Sequence, residues 1–316
     1  MSSIENNSPG DWGTRGAAVQ GLIKAFGIGA PVHATLLTGP QGVGKRSLAR
    51  HCAKALFCTG TKKPCGICPA CLRFQAGSHP DVHAVGGAKK TGVDAIRALI
   101  AALAAAPYEG GWRAALIEEA GGLTPQAQNS LLKTLEEPPA RTVFLLTTVN
   151  AGELLATVRS RCRIVRVPPL PDEAVAQILR AQGEEAARAA ELAALSGGSP
   201  GAALKMREDK GFWALHDRVL GALSAIHNPG DVLGAVNALK DDKENTGRIC
   251  DLIEWRFRQM LKEALDKGAM SHARGITGLL EDLADLRRML SSHVAWQAAL
   301  ERLLLNYAEE ITQWRS

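Results

Sequence analysis

Aromatic side chains are scarce, at 4% of 316 residues. That argues against a sheet-dominated fold and against a nucleic-acid platform built from stacked bases. Alanine and leucine take their place and favour helix, above all in the second half of the chain. Long apolar runs are also missing: nowhere do about 18 apolar residues follow one another, so no membrane span is implied. The opening segment, Met1 to Gly10, is polar and lacks the apolar centre of a signal peptide. A disordered N-terminus and a cytoplasmic chain are therefore expected. Nor is there a strong excess of one charge. A net charge of +5 permits contact with nucleic acid or an acidic partner but does not establish it. The length allows two or three domains with substantial cores. Seven cysteines, four of them clustered, point to metal rather than disulfides in a reducing compartment.

Against these absences stands the stretch Gly39-Pro40-Gln41-Gly42-Val43-Gly44-Lys45-Arg46-Ser47. It follows the apolar run Ala34-Thr35-Leu36-Leu37 and opens a helical pattern, Leu48 through Leu56. Strand, glycine loop and helix are the context that a phosphate-binding loop requires. Gly39, Gly42 and Gly44 let the backbone turn so that amides face a polyphosphate, and Lys45 would reach the β- and γ-phosphates. The next position normally carries a Ser or Thr hydroxyl for Mg²⁺. Here it is Arg46, which cannot ligate a cation, and Ser47 is rotated from that position by about 100° along the helix. A second departure lies in Trp112 to Ala120, an apolar strand ending in two acids. Glu118 stands where a magnesium-holding Asp is expected, followed by Glu119. The extra methylene shifts the carboxylate by roughly 1.5 Å, enough to degrade a near-octahedral magnesium site. The strand Val143 to Thr148 ends in hydroxyls, with Thr148 where a sensor would read the γ-phosphate. The expectation is weak, Mg²⁺-independent binding of ATP or ADP without hydrolysis.

Cys58, Cys65, Cys68 and Cys71 follow the loop's helix. Their spacing suits one tetrahedral Zn²⁺, and four thiolates leave no open position, so a structural zinc is expected. An iron–sulfur cluster is the alternative, with nothing nearby that suggests redox chemistry. Cys52, Cys162 and Cys250 fall outside this spacing and read as packed side chains. His33, His79 and His83 read as structural histidines.

Trp12 through Phe26 reads as a helix, with Val19, Leu22, Ile23 and Phe26 on one face. His79 to Val85 is a turn into a second strand, and Gly86 to Gly92 is a basic connection containing Lys89 and Lys90. Val93 to Leu103 is helical. Thr124 caps a helix from Pro125 to Glu137, with Leu131, Leu132 and Leu135 inward, and Pro138-Pro139 stops it. Glu136 and Glu137 sit at its C-terminal end, where the helix dipole disfavours negative charge; they are either solvated or paired with basic groups. Leu154 to Val158 is a short helix. Arg159, Arg161 and Arg163 then alternate into a strand through Val167, as a solvated edge or as an arginine offered to a neighbouring subunit. After the hinge Pro168-Pro169-Leu170-Pro171, three helices are expected at Ala174–Gln182, Glu185–Leu195 and Pro200–Met206. Beyond Lys210 every segment is helical: Phe212–Ile226, Val232–Leu239, Thr246–Asp266, Ser271–Met289 and His293–Trp314. Ile249, Leu252, Ile253, Phe257, Met260 and Leu261 form one apolar stripe, and Leu279, Leu283 and Leu286 another. Trp255, Trp296 and Trp314 read as packing residues.

Three of these motifs together resemble the AAA+ clamp-loader family of bacterial DNA polymerase III. They are Ser130-Leu131-Leu132-Lys133-Thr134-Leu135-Glu136-Glu137-Pro138-Pro139, then Ser160-Arg161-Cys162, and the four-cysteine insertion after the loop's helix. The resemblance covers about residues 12 to 206 by motif and the rest by position and class. It implies an α/β parallel-sheet domain over 1–167, a small helical lid over 168–207 and an all-helical collar over 208–316. Arg46, Glu118 and Gly201, the last where ATPase members carry a sensor arginine, place the chain on the non-hydrolysing, delta-prime side of that family. The active gamma/tau ATPase is the alternative. The resemblance further implies that Arg161 is an arginine finger acting in trans on an adjacent ATPase subunit. The implied partners are gamma/tau and delta subunits, with the sliding clamp and primed DNA met through the assembly. No membrane is involved.

Overall fold

The computed structural model describes residues 16–87, 91–108, 111–291 and 295–315. Residues 1–10, Trp12, Lys89, Lys90 and His293 lie outside that set.

The first half alternates strand and helix: α1 (Ala17–Gly27), β1 (Ala34–Thr38), α2 (Lys45–Phe57), α3 (Pro69–Gln75), β2 (Val82–Gly86), α4 (Val93–Ala104), β3 (Arg113–Glu118), α5 (Pro125–Glu136), β4 (Thr142–Thr148), α6 (Ala156–Arg159) and β5 (Arg163–Arg166). All strand pairs are parallel, in the order β2-β3-β4-β1-β5. In register, Leu36 of β1 lies opposite Leu146 of β4 and Ile164 of β5.

The period-2 geometry of a strand explains the continuous apolar runs, because both faces of the sheet are covered. Leu37, Leu116, Leu145 and Val165 share one core with Val19, Leu22 and Phe26 of α1 and Leu48 and Cys52 of α2. Leu36, Ile117, Phe144 and Leu146 share the other with Ile96 and Leu99 of α4 and Leu131 and Leu135 of α5. The edge strand is covered on one side only: Val165 is 1% exposed and Ile164 is 50% exposed. At the head of β3 the buried Arg113 donates to the carbonyls of Leu103 and Ala105, satisfying acceptors where α4 ends, and to that of Ala140 in the turn before β4.

The cap at Thr124 forms as the sequence suggests, its hydroxyl accepting from the Ala127 N–H at 3.2 Å. Helix α3 is the element that sequence pattern does not announce. It is seven residues long, carries a metal-spaced cysteine, and is surrounded by glycine and proline that read as loop.

Three further helices follow the proline hinge: α7 (Asp172–Ala181), α8 (Ala186–Leu195) and α9 (Pro200–Glu208). Val175, Leu179, Ala189, Leu192 and Ala193 are buried among them. Contacts divide the chain between Leu204 and Lys205 into two units. The second contains α10 (Lys210–Ser224), α11 (Val232–Leu239), α12 (Thr246–Asp266), α13 (Met270–Ser291) and α14 (Trp296–Arg315). In the α12 stripe Ile249, Leu252, Ile253 and Phe257 are buried, whereas Met260 and Leu261 are half-buried. Leu279, Leu283 and Leu286 of α13 are buried as expected. Arg287 of α13 bridges Asp251 and Glu254 of α12. Trp296 is buried, and Trp314 stacks on His272. Among the described residues no helix is long and apolar enough to cross a membrane.

Candidate functional site

The glycine loop leaves β1, an interior strand, and runs into α2. Gly39, Gly42 and Gly44 all adopt positive φ, at 149°, 78° and 97°, which only glycine takes without strain. The first-turn amides of α2 have no intrahelical acceptor, and the helix dipole makes that end favourable for an anion. The loop carbonyls are held from other directions. Lys45 Nζ donates to the carbonyls of Gly39 and Pro40, each at 2.7 Å. Ser199 Oγ donates to the Gln41 carbonyl at 2.9 Å, and the Gly201 N–H to the Gly42 carbonyl at 3.0 Å. Four consecutive carbonyls are thus engaged. Burial lowers the pKa of Lys45, while Glu119 and Glu153 act to raise it.

The lid helix α9 begins against this loop. A Cβ on Gly201 would stand 2.9 Å from both Cα and O of Gly42, and a Cβ on Gly42 would stand 2.4 Å from Ser199 Oγ. The site is built around a glycine-on-glycine contact, which explains why position 201 carries no long side chain.

Magnesium, which a loop of this kind implies, does not fit the residues present. Position 46 offers no oxygen. Instead Arg46 Nε lies 2.8 Å from Glu118 Oε1, an ion pair between the first turn of α2 and the end of β3. Glu118 is only 8% exposed, and its Oε1 receives no aligned hydrogen bond. Burial raises its pKa, and Arg46 and Arg50 oppose that shift. Glu119 takes a left-handed conformation, its N–H donating to Thr147 Oγ1 at 3.0 Å. Thr148 Oγ1 lies 2.6 Å from Glu153 Oε2 and 3.2 Å from the Asn150 carbonyl, so its hydroxyl is already engaged. Glu153 is the carboxylate that sequence reasoning missed. It sits in a 3-10 turn without any motif, and only the fold brings it near Lys45 and Thr148.

Arg161 precedes the edge strand β5. Its Nε donates to Glu136 Oε1 at 2.9 Å, its Nη2 meets the same oxygen, and its Nη1 donates to the Thr157 carbonyl at 2.8 Å. Of the two readings left open for the acids ending α5, pairing holds for Glu136. Arg161 compensates a carboxylate that sits at the unfavourable end of the helix dipole.

The Sγ atoms of Cys58, Cys65, Cys68 and Cys71 all lie within 4.8 Å of one another. A zinc tetrahedron with bonds of about 2.3 Å has sulfur–sulfur edges of roughly 3.8 Å, so the set fits that ion. Backbone N–H groups of Gly60 and Cys65 point at Cys58 Sγ, at 3.3 and 3.2 Å, and that of Cys68 at Cys65 Sγ, at 3.4 Å. Backbone donors of this kind lower the pKa of Cys65. A Cβ on Gly60 would meet Cys65 Cβ at 2.8 Å, so the knuckle depends on that glycine. His79 and His83 are not members of the set. His79 is buried against the Phe57 ring, with centroids 4.2 Å apart, and its Nδ1 accepts from the Asp81 N–H. Cys52 and Cys250 are buried and Cys162 is partly so, and burial pushes the thiols of Cys162 and Cys250 up to about 11.

Comparison with known proteins decides the family. The family described as DNA polymerase III, delta subunit, matches residues 15–171. A DNA polymerase III subunit delta' from Escherichia coli is 36% identical over 230 residues, covering 70% of this chain and 68% of that protein. The chain belongs to the DNA polymerase III delta-prime family. A delta' subunit from Pseudomonas aeruginosa is 42% identical over 53% of each chain. A tau subunit from Salmonella typhimurium is 41% identical over 45% of this chain and 22% of that protein. In this delta-prime family member, then, Lys45, Arg46, Glu118, Glu119 and Thr148 converge at the C-terminal edge of the sheet. Arg161 stands apart, at the β5 edge, and the cysteines form a separate cluster beyond α2.

Proposed function

We propose that the chain is a clamp-loader subunit of DNA polymerase III that does not turn over ATP by itself and lends Arg161 to the ATP site of a neighbouring ATPase subunit. The observation that carries the first part is the Arg46–Glu118 ion pair, which puts a cationic side chain where a metal-ligating hydroxyl and its carboxylate partner would act. Without a bound metal, the developing charge on a transferring phosphoryl group lacks its main stabiliser. Thr148, tied to Glu153, and Gly201, packed on Gly42, remove two further groups from that task. The second part draws on Arg161, held next to an edge strand by Glu136 and the Thr157 carbonyl. A trans-acting arginine is worth about 10³–10⁵ in rate in other phosphoryl-transfer systems.

In this reading the α/β unit stands beside gamma/tau and delta subunits, and the helical region over 208–316 serves as the collar of the assembly. The assembly places a sliding clamp on primed DNA. Cys58, Cys65, Cys68 and Cys71 hold a structural zinc that braces the segment after α2. The rival, a gamma/tau-type ATPase, draws on the intact loop glycines, Lys45 and the 41% identity to a tau subunit.

The test is steady-state ATPase of the purified chain, alone and then with gamma/tau, delta, clamp and primed DNA. Expected are no turnover alone, turnover in the mixture, and its loss with Arg161→Ala. Robust turnover by the chain alone would make it a motor subunit.

A further inference from the structure

We propose that Arg46 and Glu118 form a metal-excluding pair, so that the loop selects a nucleotide polyphosphate free of magnesium over its magnesium complex. This rests on the same ion pair as the non-hydrolysing reading and takes the loop as a nucleotide site.

The argument begins with Glu118. A carboxylate 8% exposed, with an oxygen that receives no aligned hydrogen bond, is an expensive group to keep charged. Burial pushes it towards the neutral acid, and Arg46 is its closest cation, at 2.8 Å. Removing Arg46 would leave only the charge of Arg50 to offset a buried acid, so Arg46 and Glu118 function as a unit. The guanidinium is largely in solvent, its side chain 60% exposed against 11% for Glu118, on the first turn of α2. That helix end already favours an anion through its amides and dipole. A planar, permanently charged fork on that turn can bind phosphate oxygens with two parallel N–H donors. The pair therefore anchors one end of Arg46 on the sheet and leaves charge at the loop for an anion.

Magnesium has no comparable place here. It demands a near-octahedral shell of oxygens and gives up water reluctantly. The hydroxyl that would join that shell is missing, and the carboxylate that would support it is engaged by Arg46. A nucleotide arriving as its magnesium complex would bring a dication beside a fixed guanidinium. Thr148, whose hydroxyl lies 2.6 Å from a Glu153 oxygen, offers no substitute ligand.

The experiment is equilibrium binding of a fluorescent ATP analogue to the full chain, in EDTA and in millimolar magnesium. It compares wild type with Arg46→Lys and the double variant Arg46→Thr/Glu118→Asp. Wild type is expected to bind more tightly in EDTA than in magnesium. The double variant, which removes the cation and restores a metal-holding pair, is expected to shift towards magnesium by about fivefold, the scale of one screened charge contact. Arg46→Lys keeps the charge, guards against a folding defect, and should retain the wild-type order. The proposal is overturned if wild type binds equally well or more tightly with magnesium, if it binds no nucleotide in EDTA, or if the double variant binds without any shift towards magnesium. Failure of the trans-arginine reading would not alter these isotherms, because neither partner subunits nor Arg161 enter the measurement.

Discussion

Replacing Glu136 separates the placement of Arg161 from its charge. The guanidinium is fixed by one carboxylate oxygen of Glu136 and by the Thr157 carbonyl, with side-chain exposures of 31% for Arg161 and 49% for Glu136. A pair this exposed contributes under about 1 kcal/mol to stability. Glu136→Ala should therefore lower Tm by no more than roughly 2–4 °C. Its effect on a trans reaction is larger. An arginine side chain carries about 2 kcal/mol of rotamer entropy, and the Glu136 contact removes much of that before any partner docks. Losing all of it would correspond to about 30-fold, at 1.4 kcal/mol per decade; a 3- to 30-fold fall is therefore expected. Glu136→Gln keeps an acceptor and should fall between alanine and wild type. The assay is the DNA-stimulated ATPase of the reconstituted complex, with melting of the isolated subunit as control. The fall should appear in kcat, with assembly of the complex unchanged. Activity within twofold of wild type in Glu136→Ala, or an increase, would refute the idea that the pair presents the arginine; an increase would mean that Glu136 sequesters it.

Two other outcomes follow from named groups. The purified chain should carry equimolar zinc. Cys68→Ser or prolonged chelation should release it and destabilise the chain by several kcal/mol, read by metal analysis and urea unfolding; a chain free of metal with unchanged stability would remove the structural role. His51 of α2 has its pKa pushed down to about 4 by burial, with Lys54 adding to the shift. A histidine depressed in the native state protonates first in the unfolded chain. Its stabilising contribution is whole above the ordinary value near 6.5 and is lost as pH falls towards 4, of order 3 kcal/mol in total. His51→Gln should flatten the acid limb of a stability profile between those values, and an unchanged limb would contradict the assignment.

What the sequence determined by itself is whatever depends on neighbours a few positions away. Glycines at 39, 42 and 44 announce a loop because the backbone needs positive φ there, and all three adopt it. Strand runs such as Val143 to Thr148 announce burial on both faces, and alternate residues divide between two cores. Cysteine spacing announces that four thiols gather in one place, because residues on one short segment have little freedom, and their Sγ atoms lie within 4.8 Å of one another. Thr124 announces a cap, and the α12 and α13 stripes announce a helical core. The departures at Arg46 and Glu118 were visible too, each as the absence of a ligand.

Only the tertiary structure decided that those departures meet. Arg46 follows β1 and Glu118 ends β3, with β4 between the two strands, so their 2.8 Å contact follows from sheet order rather than from spacing. The Ser199 contact to the loop spans 158 positions and the Arg161–Glu136 pair spans 25, and no local periodicity encodes either. Glu153 belongs to no motif, yet it stands beside Thr148 and acts on Lys45. Gly201 reads along the chain as a missing arginine, and in space it is the one residue small enough to let the lid's backbone rest on Gly42. Local chemistry fixes the elements and their exposed or buried faces; the charges and contacts that define this site arise where the sheet closes distant segments on one another.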